Sequence, residues 1–407
     1  MTETSNPEDI FPVVVIGAGL AGLSAGVHLA GRDVPPLVLE ADSEWPGGCL
    51  SGGAADTFEH GERIWAFRSE HGAHALWGGY DNMRAMLERF LDVDLRASEG
   101  EEWINRWGTR VRYVEAGTAV RRSWLPAPFH YLQLLLRPRF WSTVSFWDIL
   151  SLPGFITSLL LTTGLDPITE KVELEGLTID DYFRFWTPNL RATFRGLGHS
   201  LLASPSDYIS LSAFIAAMRF YTILRRETWR LDYLPCNAHD CLIQPMIDSI
   251  TEAGGMVMTG ARAIELKRQG DHWQIRVEDA KRGIRTLEAA HIIIATEPDA
   301  AERLLSNSPD TADKAAEIDF PRSIQCATAR LWFDTQPREG APGGMFTGDF
   351  EIDNFFWLHR LHDEFQEWGE AGGSAIEVHF YSPEHVFEQS DQVLLVLATS
   401  EVQRAFP

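Results

Sequence analysis

The sequence predicts an α/β fold in which a dinucleotide-binding sheet is interrupted by an inserted α+β domain, and three observations predict it. First, Val13 to Ile16 is a wholly apolar, β-branched run that leads straight into glycines at 17, 19 and 22. Such a run reads as a strand buried on both faces, and the glycines open a helix over Ala21 to Leu29. Second, another apolar run, Pro36 to Leu39, ends in Glu40, eighteen residues beyond Gly22. Third, His291 to Ala295 (HIIIA) reads as another fully buried strand, some 280 residues after the first. If these strands share one sheet, the nucleotide domain is discontinuous and the chain between them is an insertion. At 407 residues the protein is too long for one simple core and fits two intertwined domains.

Each part of the first motif has a physical purpose. Gly17 permits the tight turn out of the strand, Gly19 lets backbone approach a pyrophosphate, and Gly22 allows close helix–sheet packing. Ala18, Leu20 and Ala21 complete the turn, and the helix N-terminus offers free N–H groups and a positive dipole end to phosphate. Glu40 can hold a ribose hydroxyl pair, which disfavours a 2′-phosphate and hence NADP. Glycines alone are weak evidence; strand, glycines, helix, strand and acid in register are specific.

After Glu40 and Ala41 comes the loop EADSEWPGGCLSGG, centred on Gly47-Gly48. A helix begins near Tyr80, with apolar spacing at Met83, Met86, Leu87 and Phe90, and residues 103–124 alternate like strands. Between Trp124 and Leu165 the character changes. Ile149 to Leu165 carries no charge but is interrupted by Pro153 and Gly154, so short helices are expected rather than a membrane span. Its aromatics Phe140, Trp141, Phe146 and Trp147, flanked by Arg137 and Arg139, suit either a tunnel lining or docking at a bilayer interface. Leu177 to Phe220 reads as helical. Pro245 to Glu252 begins a helix, Met256 to Leu266 forms a strand with Gly260 inside it, and Trp273–Val277 with Arg285–Ala289 suggests a hairpin. The cluster Arg219, Tyr221, Arg225, Arg226, Arg230 and Asp232 reads as a solvated face.

A net charge of −23 argues against nucleic acid as a partner, because phosphate would be repelled. Four cysteines, at 49, 236, 241 and 326, are too scattered for a disulfide framework or a zinc site, so no metal is expected. The N-terminus, MTETSNPEDI, is polar and acidic, unlike a signal peptide. A reducing, cytoplasmic setting is the expectation.

The motifs resemble the flavin-containing amine oxidase superfamily and, within it, the phytoene and ζ-carotene desaturase-like branch. The glycine fingerprint continues through Glu40 into Gly47-Gly48, and EHGAHALWGGYDNM is similar to that branch's pattern at Gly72, His74, Gly78, Tyr80 and Asn82. GGMVMTGARAIEL is similar to the strand that brackets the adenine, with Ala263 at the contact, and HIIIAT is similar to the strand returning to the flavin at Ala295. The resemblance implies a Rossmann-like FAD-binding domain over 1–75 and 235–305, and a substrate domain over 76–234 and 306–407 with membrane-docking helices near 124–165. It implies FAD as cofactor, with Gly72 and Ala73 close to the flavin and His74 either orienting substrate or packing as a structural histidine. Glu70 and His71 share that ambiguity. The implied activity is desaturation or isomerisation of an apolar isoprenoid by hydride transfer to flavin N5. The alternatives are a flavin amine oxidase or a degenerate flavoprotein. Peripheral contact with the inner face of a membrane fits an apolar small-molecule substrate.

Two features depart from the family. Cys49 stands where the family usually has an arginine that would meet a phosphate. A second flavin motif, expected beyond a strand and an aspartate, is not recognisable between Asp334 and Pro407. The expectation is therefore an incomplete flavin site, a separately encoded C-terminal segment or self-association to complete it, and weak FAD affinity.

Overall fold

The first apolar run forms strand β1, Ile10–Ile16, in which Val14 and Val15 have no solvent exposure. It is buried on both sides because it lies between two parallel partners. Strand β2, Leu37–Leu39, flanks it on one side and Gly283–Ile294 on the other, with Val13 opposite His291 and Ile16 opposite Ile294. The full sheet order is Met256–Met258, β2, β1, Gly283–Ile294, His272–Asp279 and Ala261–Gln269. Parallel pairing joins the first four strands, and the last three form an antiparallel meander. Helix α1, Leu20–Ala30, buries Gly22, Leu23, Gly26 and Val27. Gly26 lacks the Cβ that would meet Ile250 of helix Gln244–Glu252 at 2.6 Å.

The computed structural model describes residues 10–407 apart from 71, 99, 116–119, 227–229 and 382–383. The chain divides into two compact units. One comprises Met1–His71, Asn82–Asp94 and Cys236–Ser323; the other comprises Gly72–Asp81, Leu95–Pro235 and Ile324–Pro407. These bounds differ from the sequence expectation at Pro235 and in three stretches: residues 72–75 fall in the second unit, where the Ala73 N–H donates to Glu377, and two stretches join the first unit. Asn82–Asp94 joins the first unit because the Phe90 ring, at the end of helix Asp81–Phe90, meets the edge of His28 at 5.1 Å. Residues 306–323 join it because Ser308 accepts the Leu266 N–H and helix Pro298–Ser306 buries Leu304 against the sheet.

The second unit is built on a six-stranded sheet in the order Ala327–Phe333, Ser374–Phe380, Asn354–Trp357, Gly343–Gly348, Glu102–Trp107, Arg110–Glu115. All neighbours are antiparallel except Gly343–Gly348 with Glu102–Trp107. The final helix, Asp391–Ala405, buries Ala398, Val402 and Ala405 in the core with Phe355, Ile376 and Val378. Helices from Ile179 to Ala217 enclose a separate aromatic core around Tyr182, Phe183, Trp186 and Phe214.

Several sequence expectations are corrected here. The strand expected over Met256–Leu266 is two strands, because Gly260 takes φ +64° and turns the chain between them. The hairpin strand at 285–289 and the run at 291–295 are one continuous strand, Gly283–Ile294. Cys236 and Cys241 form a disulfide, because the helical turn beginning at Asn237 brings their Cα atoms to 5.8 Å. The basic cluster is a solvated face only in part: Arg225 and Arg230 are exposed, whereas Arg219 and Arg226 are half-buried against backbone carbonyls. Arg219 donates to the Leu165 carbonyl, Arg226 to the Ser123 carbonyl, and Arg230 pairs with the fully buried Asp232 at 2.8 Å.

Pro153 starts a helix rather than breaking one, standing in the first turn of Leu152–Gly164. The elements here are short helices, as expected; joined to the preceding 3-10 turn, Phe146–Gly164 is long and apolar enough to cross a membrane by length and composition only. Its inward face is polar. Ser158 donates to the Tyr182 carbonyl and accepts from the Trp186 indole, and Thr162 lies 2.6 Å from the Tyr182 hydroxyl.

Candidate functional site

In the first unit the glycine turn has the geometry its sequence demands. Gly17 sits at φ +102°, donates its N–H to the Leu39 carbonyl at 2.8 Å, and lacks a Cβ that would stand 2.7 Å from the Ala295 carbonyl oxygen. A Cβ at Gly22 would overlap the Gly17 carbonyl oxygen and sit 3.3 Å from the Ala295 methyl. The turn, the helix and the returning strand therefore touch at backbone distance, and only glycine satisfies both positions. Gly19 differs from both: no protein atom lies within 4 Å of where its Cβ would be. It faces open space at the helix start.

Helix α1 carries no side-chain cap and no acid in its first turn. Its leading N–H groups are left to an external acceptor, at the end where the helix dipole amounts to roughly half a positive charge. The Gly47-Gly48 loop runs alongside. Gly19 and Gly47 form an isolated parallel bridge, and a Cβ on Gly48 would be 3.6 Å from the Gly19 Cα. Both loop glycines take positive φ, +123° and +59°. Ala18 is fully buried, whereas Leu20, Ala21, Gly48 and Cys49 are exposed around the opening.

Glu40 is bound into this turn. Its Oε2 accepts the Ala18 N–H at 3.0 Å and its Oε1 the Asp42 N–H at 2.9 Å. Each carboxylate oxygen keeps a further lone pair, so a ribose can still be held while the acid fixes the loop that presents it. Asp42 in turn accepts the N–H groups of Trp45 and Glu44, which hold its carboxyl below the usual range. Ala41 is half-buried between these two acids. Ala263 is half-buried in strand Ala261–Gln269 beside a register shift, and Ala295 closes the Gly17 turn through its N–H to Ile16.

Sequence reasoning missed Arg68. Its guanidinium donates to the Gly53 carbonyl at 3.1 Å, pairs with Asp240 at 3.3 Å and lies 5.0 Å over the Trp45 ring. It braces the loop that follows Gly47-Gly48, while Cys49 itself is exposed. The cation comes from a strand whose sequence neighbours say nothing about that loop.

Gly72, Ala73 and His74 belong to the second unit, where a buried acid anchors them. Gly72 has φ +143°, and a Cβ there would be 3.3 Å from the His379 ring. The Ala73 N–H donates to Glu377 Oε1. Glu377 is fully buried and pairs with Arg330 at 2.7 Å and His379 Nε2 at 2.8 Å. Burial alone would raise its pKa, but the Arg330 charge and the His379 contact override it and hold the carboxyl well below the usual range. His379 Nδ1 lies 2.7 Å from the Tyr381 hydroxyl, so an arginine, an acid, a histidine and a tyrosine form one chain. His74 is half-buried beside it. His71 lies outside the described residues. Glu70, in the first unit, is buried and accepts the Ala238 N–H at 2.5 Å.

A cavity of about 150 Å³ opens in the second unit, lined by Ala73, Trp77, Glu101, Trp103, Tyr233, Phe356, His379 and Tyr381 among others. Burial pushes the Glu101 carboxyl up to about 8, against the pull of Arg121. Burial also pushes the Tyr233 hydroxyl well above its usual value, with the Glu101 charge adding to the effect.

Residues 15–90 match the model of an NAD(P)-binding Rossmann-like domain. Over 99% of its length the chain is 22% identical to a 15-cis-phytoene desaturase of Capsicum annuum, of which it spans 66%. It is 21% identical over 97% of its length to a 15-cis-phytoene desaturase of Synechococcus elongatus, covering 80% of that protein. Among solved structures, a cyclohexylamine oxidase from Brevibacterium oxydans aligns over 98% of this chain and 81% of its own, at 14% identity and a TM-score of 0.61. An oxidoreductase from Methanosarcina mazei aligns over 97% and 85%, at 15% identity and a TM-score of 0.62. The chain shares the fold of these oxidoreductases. The phytoene desaturase homology covers both the glycine turn and the second unit.

Proposed function

We propose that the protein is an FAD-dependent oxidoreductase acting on an apolar, isoprenoid-like substrate delivered from a membrane surface. The observation that carries the cofactor reading is the open face of Gly19, set between an uncapped helix N-terminus, the Gly47-Gly48 loop and Glu40. Gly17 and Gly22 are closed by protein; the position between them is not, which is what a pyrophosphate requires. Gly17 to Gly22, Gly47 and Gly48 would hold the phosphates and Glu40 the ribose. Bound flavin would supply an acceptor for a hydride equivalent from a substrate C–H bond. The chain's own residues bind, orient and exclude water.

The membrane reading is supported by an inverted amphipathic segment. Phe146, Trp147, Ile149 and Leu160 are exposed by 81, 68, 66 and 64%, while Ser158 and Thr162 point inward. Apolar groups outward and hydroxyls inward reverse the pattern of a water-facing helix, and the inward hydrogen bonds favour docking in the interface plane over spanning.

The cofactor reading is tested by titrating FAD and NAD⁺ into purified protein and its Gly19→Val variant, following flavin fluorescence and gel-filtered absorbance. FAD should bind the parent stoichiometrically and the variant not at all. Stoichiometric flavin in the variant would overturn the site assignment. Peroxide release on simple amines would instead favour the amine oxidase reading.

A further inference from the structure

The cavity of the second unit has mixed walls, with Ser200, Asn354, His379 and Tyr381 among its polar lining residues. Trp77, Trp103 and Phe356 supply ring surface, whereas Tyr233 and Glu101 bring a hydroxyl and a carboxyl to the same space. The Tyr233 side chain is 1% exposed, and its hydroxyl has no hydrogen-bond partner among the described residues. A buried donor left without an acceptor is costly, and native interiors rarely tolerate one unless something else supplies the partner. Glu101 is 8% exposed and, held protonated by burial up to about pH 8, is itself a donor at neutral pH. A bare hydrocarbon would leave the Tyr233 hydroxyl unsatisfied. An ammonium would require Glu101 to ionise where burial opposes it.

We infer that this cavity takes an uncharged, largely apolar molecule bearing one hydroxyl or carbonyl oxygen, which accepts hydrogen bonds from Tyr233 and Glu101. The inference rests on the reading of the second unit as the substrate domain, and narrows it from hydrocarbons to oxygenated ligands. The Trp77, Trp103 and Phe356 rings would cover the apolar body while the two donors fix the oxygen. The site would discriminate against an analogue lacking the oxygen, because the buried Tyr233 hydroxyl would then stay unpaired.

The test is isothermal titration calorimetry on the full chain with three ten-carbon probes: geraniol, myrcene and geranylamine. Geraniol should bind about tenfold or more tighter than either of the others, the value of roughly one buried hydrogen bond. Tyr233→Phe removes only an oxygen that has no hydrogen-bond partner among the described residues, so the fold should be retained, which a thermal melt verifies. In that variant the preference for geraniol over myrcene should shrink to about threefold or less. Glu101→Gln, which keeps a donor, should retain most of it. Equal binding of geraniol and myrcene, or a preference unchanged in Tyr233→Phe, would overturn the inference and leave the substrate-domain reading standing. Preference for geranylamine would also overturn it, in favour of an amine substrate. Failure of all three probes to bind would remove the substrate-domain reading and the inference together.

Discussion

Glu101→Gln isolates a single buried proton, and its effect on stability should depend on pH. The carboxyl is raised by burial from 4.5 to about 8 in the folded protein. Below pH 4.5 the folded and unfolded chains both keep the proton, so the group adds nothing. Between 4.5 and 8 the unfolded chain releases it and the folded chain does not, so folded stability falls as pH rises. The slope for one proton is about 1.4 kcal/mol per pH unit. Over the whole interval the ceiling is roughly 4–5 kcal/mol, and relaxation around the ionised group lowers it. Glutamine fills the same space and cannot ionise, so the variant lacks this slope. Arg121, Tyr233, His379 and Tyr381 are common to both proteins and cancel in the difference. Chemical denaturation of both at pH 5.5, 6.5 and 7.5 should show the parent losing about 2–3 kcal/mol relative to the variant across those two units. Parallel stability profiles would refute the claim that Glu101 is buried with its proton.

Three further outcomes are expected. Gly22→Val should abolish flavin retention and lower the melting temperature, since its Cβ overlaps the Gly17 carbonyl oxygen and the turn must open; normal flavin content in gel-filtered protein would contradict this. Glu377→Gln should cost about 3–5 kcal/mol at pH 7, because Arg330 is left buried without its partner. That deficit should shrink by about 1.4 kcal/mol for each pH unit below 4.5, because the unfolded parent takes up a proton there while the folded carboxylate, with its depressed pKa, stays ionised; urea melts at pH 7 and pH 3.5 measure it. Phe146→Glu with Trp147→Glu, both on the exposed face, should abolish recovery of the protein with floating liposomes while leaving its melting temperature within a few degrees of the parent; undiminished flotation would remove the docking surface.

How much of this was legible in the sequence follows from how local each cause is. Gly17 and Gly22 could be read because their demands are met within one strand–turn–helix. A positive φ and a Cβ-free contact leave their mark in a few consecutive residues, and the buried β1 run announces two parallel neighbours by its lack of polar alternation. Gly260 was visible as a glycine but not as a break, since a strand with one glycine and a turn with one glycine look alike until the partner strands are known. The Cys236–Cys241 pair was missed for a related reason: five residues of separation fit a disulfide only if the chain coils between them, as the turn from Asn237 makes it do.

The anchoring of Gly72 and Ala73 lay beyond any local signal. The acid that receives the Ala73 N–H is 304 residues away, and Arg330 and His379 reach it from two strands of the same sheet. Viewed alone, Glu377 in SAIEVHF is an acid interrupting an apolar strand, a pattern that ordinarily puts the charge in water. It is instead buried and compensated by Arg330 and His379, holding a glycine-containing turn at the edge of the cavity that Tyr233 and Glu101 also line. The compensation explains the contrast between two buried acids of one unit. Glu377 has Arg330 and His379 and stays ionised; Glu101 has only the pull of Arg121 and keeps its proton. One is spent on holding the turn, and the other remains available to a ligand. That division of labour is the physical reason the cavity reads as a binding site rather than as a packing defect.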